Sequence, residues 1–106
     1  MPNLQGRYAP LGFGQWEITS SAAKGLTAGE AAGTNTTEVS GDAAILRAEI
    51  VPEVAIRFRC DGTDPTTTRG TPLAANAQYE LTSDVTRFRF IATAATGNVN
   101  VEFFGA

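Results

Sequence analysis

A chain of 106 residues has room for one domain with a modest core, and its net charge of −3 and pI of about 4.8 leave no excess of Lys and Arg for a phosphate backbone. With no histidine and the single cysteine Cys60, it lacks the usual zinc, haem and iron–sulfur ligand sets and any internal disulfide. Nucleic acid, cofactors and a deep small-molecule substrate cavity are therefore not expected.

The first segment, MPNLQGRYAPLGF, sets two prolines and two glycines among Leu4, Tyr8, Leu11 and Phe13, and no period fits it. Residues 1–13 read either as a loosely docked terminus or as an extended arm. In the second reading the arm, Arg7 included, lies on a neighbouring subunit, because exposed apolar side chains on an irregular tail call for a partner surface. The stretch has neither a basic segment nor an apolar run, so no signal peptide is expected, and no segment approaches the ~20 apolar residues that span a bilayer.

From Phe13 onward the period is two. GQWEITS sets Trp16 and Ile18 against Gln15, Glu17 and Thr19. A polar connection, KGLTAGEAAGTNTTEVSGD, follows; LTAGEAAG would make one helical turn at most, since Gly29 and Gly33 oppose more. AAILRAEIV places Ala44, Leu46, Ala48 and Ile50 inward, with Arg47 and Glu49 outward. After the tight IVPEV connection, VAIRFRC turns Val54, Ile56, Phe58 and Cys60 one way and Arg57 and Arg59 the other. The loop DGTDPTTTRGTPLAAN leads to AQYELT, with Tyr79 and Leu81 inward. TRFRFIAT then buries Phe88 and Phe90 beneath Arg87 and Arg89, and NVNVEFF buries Val99, Val101 and Phe103. The SDV and ATGN connections are short enough for hairpins. Strands this closely spaced, each with one apolar face, predict an all-β fold. The expected architecture is an antiparallel β-sandwich or a jelly-roll-like small barrel over residues 14–106, with 1–13 as the N-terminal arm.

Little in the chain suggests catalysis. Histidine-based triads are impossible, and no nucleophile elbow or phosphate-binding glycine loop occurs. Asp61 and Asp64 form the closest carboxylate pair, but Asp61-Gly62 and Asp64-Pro65 are turn-forming dipeptides. As calcium ligands they would lack the six to eight oxygens required. Cys60 and Trp16 both fall on the apolar parity of their strands, which suits core packing. The paired arginines Arg57/Arg59 and Arg87/Arg89 would make a cationic track, unless Glu17, Glu49, Glu80 and Glu102 on neighbouring strands neutralise it as salt-bridge ladders. The tripeptide RFR occurs twice, but its flanks differ and alternating strands produce it readily.

From Trp16 to Phe103 the order of segments resembles that of small virion structural proteins of tailed bacteriophages. The resemblance is carried by Gly25-Leu26-Thr27-Ala28, by Ala44-Ile45-Leu46-Arg47-Ala48-Glu49 and by IRFRCDGTDPT at residues 56–66. A PLAANAQYEL stretch and the closing FRFIAT and VNVEFF strands complete it. It implies a non-enzymatic β-fold without cofactor or membrane. The expected role is that of a capsid decoration (cement) protein, which binds the outer shell between major capsid protein subunits and stabilises it. Self-association as a dimer or trimer on the shell and a virion location after synthesis in the host cytoplasm go with that role. A tail, baseplate or fibre component, or a stand-alone carbohydrate- or protein-binding module, is the alternative. The residues expected to meet a partner are Leu4, Arg7, Tyr8, Leu11 and Phe13 of the arm and Asp61, Asp64 and Arg69 of the loop.

Overall fold

The computed structural model describes residues 9–26, 45–82 and 85–105. In chain order the strands are β1 (Ala9–Ile18), β2 (Lys24–Gly25), β3 (Ile45–Pro52), β4 (Ile56–Arg59), β5 (Thr71–Leu73), β6 (Tyr79–Leu81), β7 (Arg89–Ala92) and β8 (Gly97–Gly105), with a 3-10 turn at Val85–Arg87 before β7. They form two antiparallel four-stranded sheets, ordered β1-β8-β3-β6 and β2-β7-β4-β5. The all-β sandwich expected from the alternation is what the chain adopts.

The period of two explains the core. Trp16 and Ile18 of β1, Ala48 and Ile50 of β3, Leu81 of β6 and Val99, Val101 and Phe103 of β8 face inward from the first sheet. Ile56 and Phe58 of β4, with Phe90 and Ala92 of β7, meet them from the second, and Phe88 enters from the end of the 3-10 turn. Tyr79, Val54 and Cys60 pack at the margin, half-buried. The Trp16 indole meets Phe103 edge-on at 6.2 Å and folds back over Gly14, where an added Cβ would stand 2.5 Å from the ring. Only glycine leaves room for the indole there. Ala44 and the side chain of Leu46 lie outside the described residues, as does most of LTAGEAAG.

Three expectations need correction. The sandwich begins before residue 14, because β1 starts at Ala9 and pairs with β8 from Ala9↔Gly105 onward. Pro10, Gly12 and Gly14, with a register shift between Pro10 and Gly12, break the side-chain alternation that would have revealed this strand. Of the expected arm, residues 1–8 lie outside the described residues. The second correction concerns hairpins. The SDV and ATGN connections cross from one sheet to the other, since β6 and β8 belong to the first sheet and β7 to the second. Among the described residues, β4 and β5 are the consecutive strands that pair. Third, Arg87 belongs to the 3-10 turn, and β7 begins only at Arg89.

Candidate functional site

Residues 60–70, which join β4 to β5, hold the densest set of polar contacts around expected site residues. The loop is built from turn chemistry. Asp61 Oδ1 accepts the Thr63 amide at 3.1 Å, and Gly62 follows at φ 84°, a conformation unfavourable to any side chain. Thr66 and Arg69 exchange backbone hydrogen bonds of 2.9 and 3.3 Å, while Thr66 Oγ1 accepts the amides of Thr68 at 3.3 Å and Arg69 at 3.0 Å. Pro65 is buried at the centre.

What fastens this loop is charge on the sheet beneath it. The first RFR run lies on β4 and the second ends on the first residue of β7, and the β4–β7 pairing places Arg59 directly opposite Arg89. Like charges in that position repel. The loop answers both: Asp61 takes Nε and Nη2 of Arg59 at 3.1 and 2.6 Å, and Asp64 Oδ1 takes Nε of Arg89 at 2.7 Å. The other two arginines bind its backbone. Arg57 Nη1 donates to the Gly70 carbonyl at 2.8 Å and Arg87 Nη2 to the Asp61 carbonyl at 3.2 Å, while the Gly62 amide returns a 2.9 Å bond to the Arg87 carbonyl. The loop is a cap clamped on the outside of the second sheet. It also accounts for Ile91, which points outward from β7 yet is only 6% exposed, beside Pro65 and residues 20–23.

The clamp sets the chemistry available. Hydrogen bonds from Arg59, then from the Thr63 amide, lower the Asp61 carboxyl from 3.8 to about 2. A general acid would require the opposite shift. Both carboxylates already hold guanidinium donors, and among the described residues no three or more His, Cys, Asp or Glu side chains gather as a metal site. Open clefts of about 610 Å³ and 520 Å³ flank the loop, the first bordered by Cys60 and Arg69, the second floored by Ile91. Cys60 Sγ lies 3.9 Å from the Tyr79 hydroxyl. Burial, and then the bond to Cys60, push the Tyr79 phenol up.

The expected salt-bridge ladders are not what forms. Glu17, Glu49, Glu80 and Glu102 belong to the first sheet and the RFR arginines to the second sheet and its entry turn, so the two sets face away from each other. Arg47 alone among the described arginines meets glutamates, at 2.6 Å from Glu49 and 3.1 Å from Glu80. Its guanidinium also lies over the Phe104 ring, 4.3 Å from the centroid. Alternation fixes which way a side chain points within a strand, but not which sheet that strand joins.

Of the residues expected to meet a partner, Leu4, Arg7 and Tyr8 lie outside the described residues, and Leu11 falls within β1. Phe13 is 39% exposed on the outer face of the first sheet, opposite Glu102. Asp61, Asp64 and Arg69 sit with the clamped loop on the other side of the sandwich. The structure therefore does not unite Phe13 with the loop residues. The sequence reading also missed a row of glutamates: Glu102, Glu49 and Glu80 are direct neighbours on β8, β3 and β6. No family model, curated protein or solved structure matches the chain.

Proposed function

We propose that the chain is a structural part of a tailed-bacteriophage virion, and specifically a capsid decoration protein that binds the outer shell between major capsid protein subunits and stabilises it. The observation that carries this reading is the order of segments from Trp16 to Phe103, above all IRFRCDGTDPT. The geometry of that stretch agrees with a passive, load-bearing role. Its carboxylates are committed to Arg59 and Arg89, and its loop is clamped rather than opened around a substrate. The role is binding without catalysis: many copies, each weakly held, would raise the effective affinity for the shell.

Copy number in purified virions whose genome encodes the chain is the direct test. Hundreds of copies, with release of the protein lowering the temperature at which shells rupture, are expected. A dozen or fewer would move the protein to the tail or its fibres, and absence from the particle would overturn the virion reading. Removing residues 2–8, which precede β1, is expected to leave a folded sandwich that no longer co-sediments with shells. Full retention would show that the arm is not the attachment.

A further inference from the structure

Net charge conceals how this sandwich is polarised. Among the described residues, the outer side of the first sheet carries Glu17, Glu49, Glu53, Glu80 and Glu102 against Arg47. Glu53 belongs to this set because it accepts Asn100 Nδ2 at 2.8 Å from the outer side of β8. The opposite side carries Arg57, Arg59, Arg69, Arg87 and Arg89 against Asp61 and Asp64. Almost all of the described arginines are thus on one side, and the described glutamates are on the other.

We propose that the chain self-associates head-to-tail, the arginine-rich side of one copy seating on the glutamate face of the next. The glutamate face has an electrostatic need that the described residues leave unmet. Glu102, Glu49 and Glu80 stand side by side on adjacent strands, at the ~4.8 Å spacing where like charges repel. Arg47 reaches Glu49 and Glu80, whereas Glu102 and Glu17 stay exposed. The other side offers the complement. Arg69 is exposed on the 66–69 turn with no side-chain partner among the described residues, and Arg87 is exposed at the loop's far anchor. Matching potentials of this kind steer association and fix orientation. Because the two surfaces differ and face opposite ways, the contact is heterologous and does not close as a twofold dimer. It builds a ring if each step tilts, or an open stack if it does not.

The inference deepens the self-association in the virion reading, yet it stands on the charge layout alone, and its test uses the isolated protein. Failure here would leave shell binding intact, and absence from the shell would leave this contact intact. Sedimentation velocity of the wild type is expected to show concentration-dependent association at ~10 mM salt, dispersed at ~1 M, where the Debye length falls from ~30 Å to ~3 Å. The variants Glu17→Lys/Glu102→Lys and Arg69→Glu/Arg87→Glu should each weaken association about tenfold or more, with unchanged circular dichroism. Mixed in equal amounts, the two variants should associate again, since each then presents the face the other has lost. Wild type that stays monomeric at low salt would overturn the proposal. So would association indifferent to salt, loss from one reversal but not the other, or a mixture that fails to recover.

Discussion

Asp61 shows how much one side chain can carry on an exposed loop. Its bonds from the Arg59 fork and the Thr63 amide are strongest for the carboxylate, which is why its pKa falls from 3.8 to about 2. A depressed folded-state pKa contributes stability that is complete above the unfolded value, near pH 4, and is lost as pH falls through about 2. Asp61→Asn is therefore expected to lower Tm at neutral pH and to converge with the wild type towards pH 2. The side chain is 54% exposed, so added salt should narrow the gap as well. Thermal melts across that window check it; a constant Tm difference would assign the effect to something other than ionisation. Gly14 makes the opposite kind of demand, for space. An alanine Cβ would meet the Trp16 ring at 2.5 Å, so Gly14→Ala should displace a core indole and cost about 1–3 kcal/mol in urea denaturation, with a shifted tryptophan emission.

At the scale of elements, the β4–β7 pair and the loop above it make one electrostatic unit. Pairing puts Arg59 across from Arg89, and the loop supplies a carboxylate to each. A double-mutant cycle on Arg89→Ala and Asp64→Ala should return a coupling of about 0.2–1 kcal/mol at low salt. The coupling should vanish near 1 M salt; persistence there would mean the pair acts through packing. This unit also marks where local reading stops. In IRFR and FRF the inward phenylalanines and outward arginines follow from alternation, and Asp61-Gly62 and Asp64-Pro65 announce their turns by residue type alone. That the two runs would become neighbours depends on crossovers between sheets, which no local pattern encodes. The glutamate row arises the same way: each of Glu49, Glu80 and Glu102 was legible as outward, but their adjacency is a property of strand order. The start of β1 was hidden for a local reason. Gly12 and Gly14 supply no side chains to show a period of two, and Pro10, which lacks a backbone donor, reads against a strand.

The whole molecule depends on the two sheets holding together, and that load falls on a small aromatic cluster. Phe58 from the second sheet stands 4.5 Å from Tyr79 of the first, centroid to centroid, and Phe88 joins them at 5.2 Å from Phe58 and 6.4 Å from Tyr79. Phe88 is fully buried, and it also meets Phe90 at 5.8 Å. Phe88→Ala opens a cavity on the seam between the sheets and should cost about 3–5 kcal/mol. Domains of this size hold only about 5–15 kcal/mol in total, so the variant should stand close to unfolding at 37 °C. Phe88→Leu, which keeps apolar volume on the seam, should lose less. The chain supplies two reporters for whether the β1–β8 end and the seam between the sheets fail together. Trp16 senses the β1–β8 end through Phe103, while Tyr79 senses the Phe58–Phe88 cluster. If the sandwich is one cooperative unit, tryptophan emission and the tyrosine near-UV signal, both read in a Tyr8→Phe background that leaves Tyr79 as the one tyrosine, should give the same urea midpoint with and without Phe88→Leu. Separate midpoints would mean that the β1–β8 end and the aromatic seam between the sheets open separately, each with its own reserve of stability.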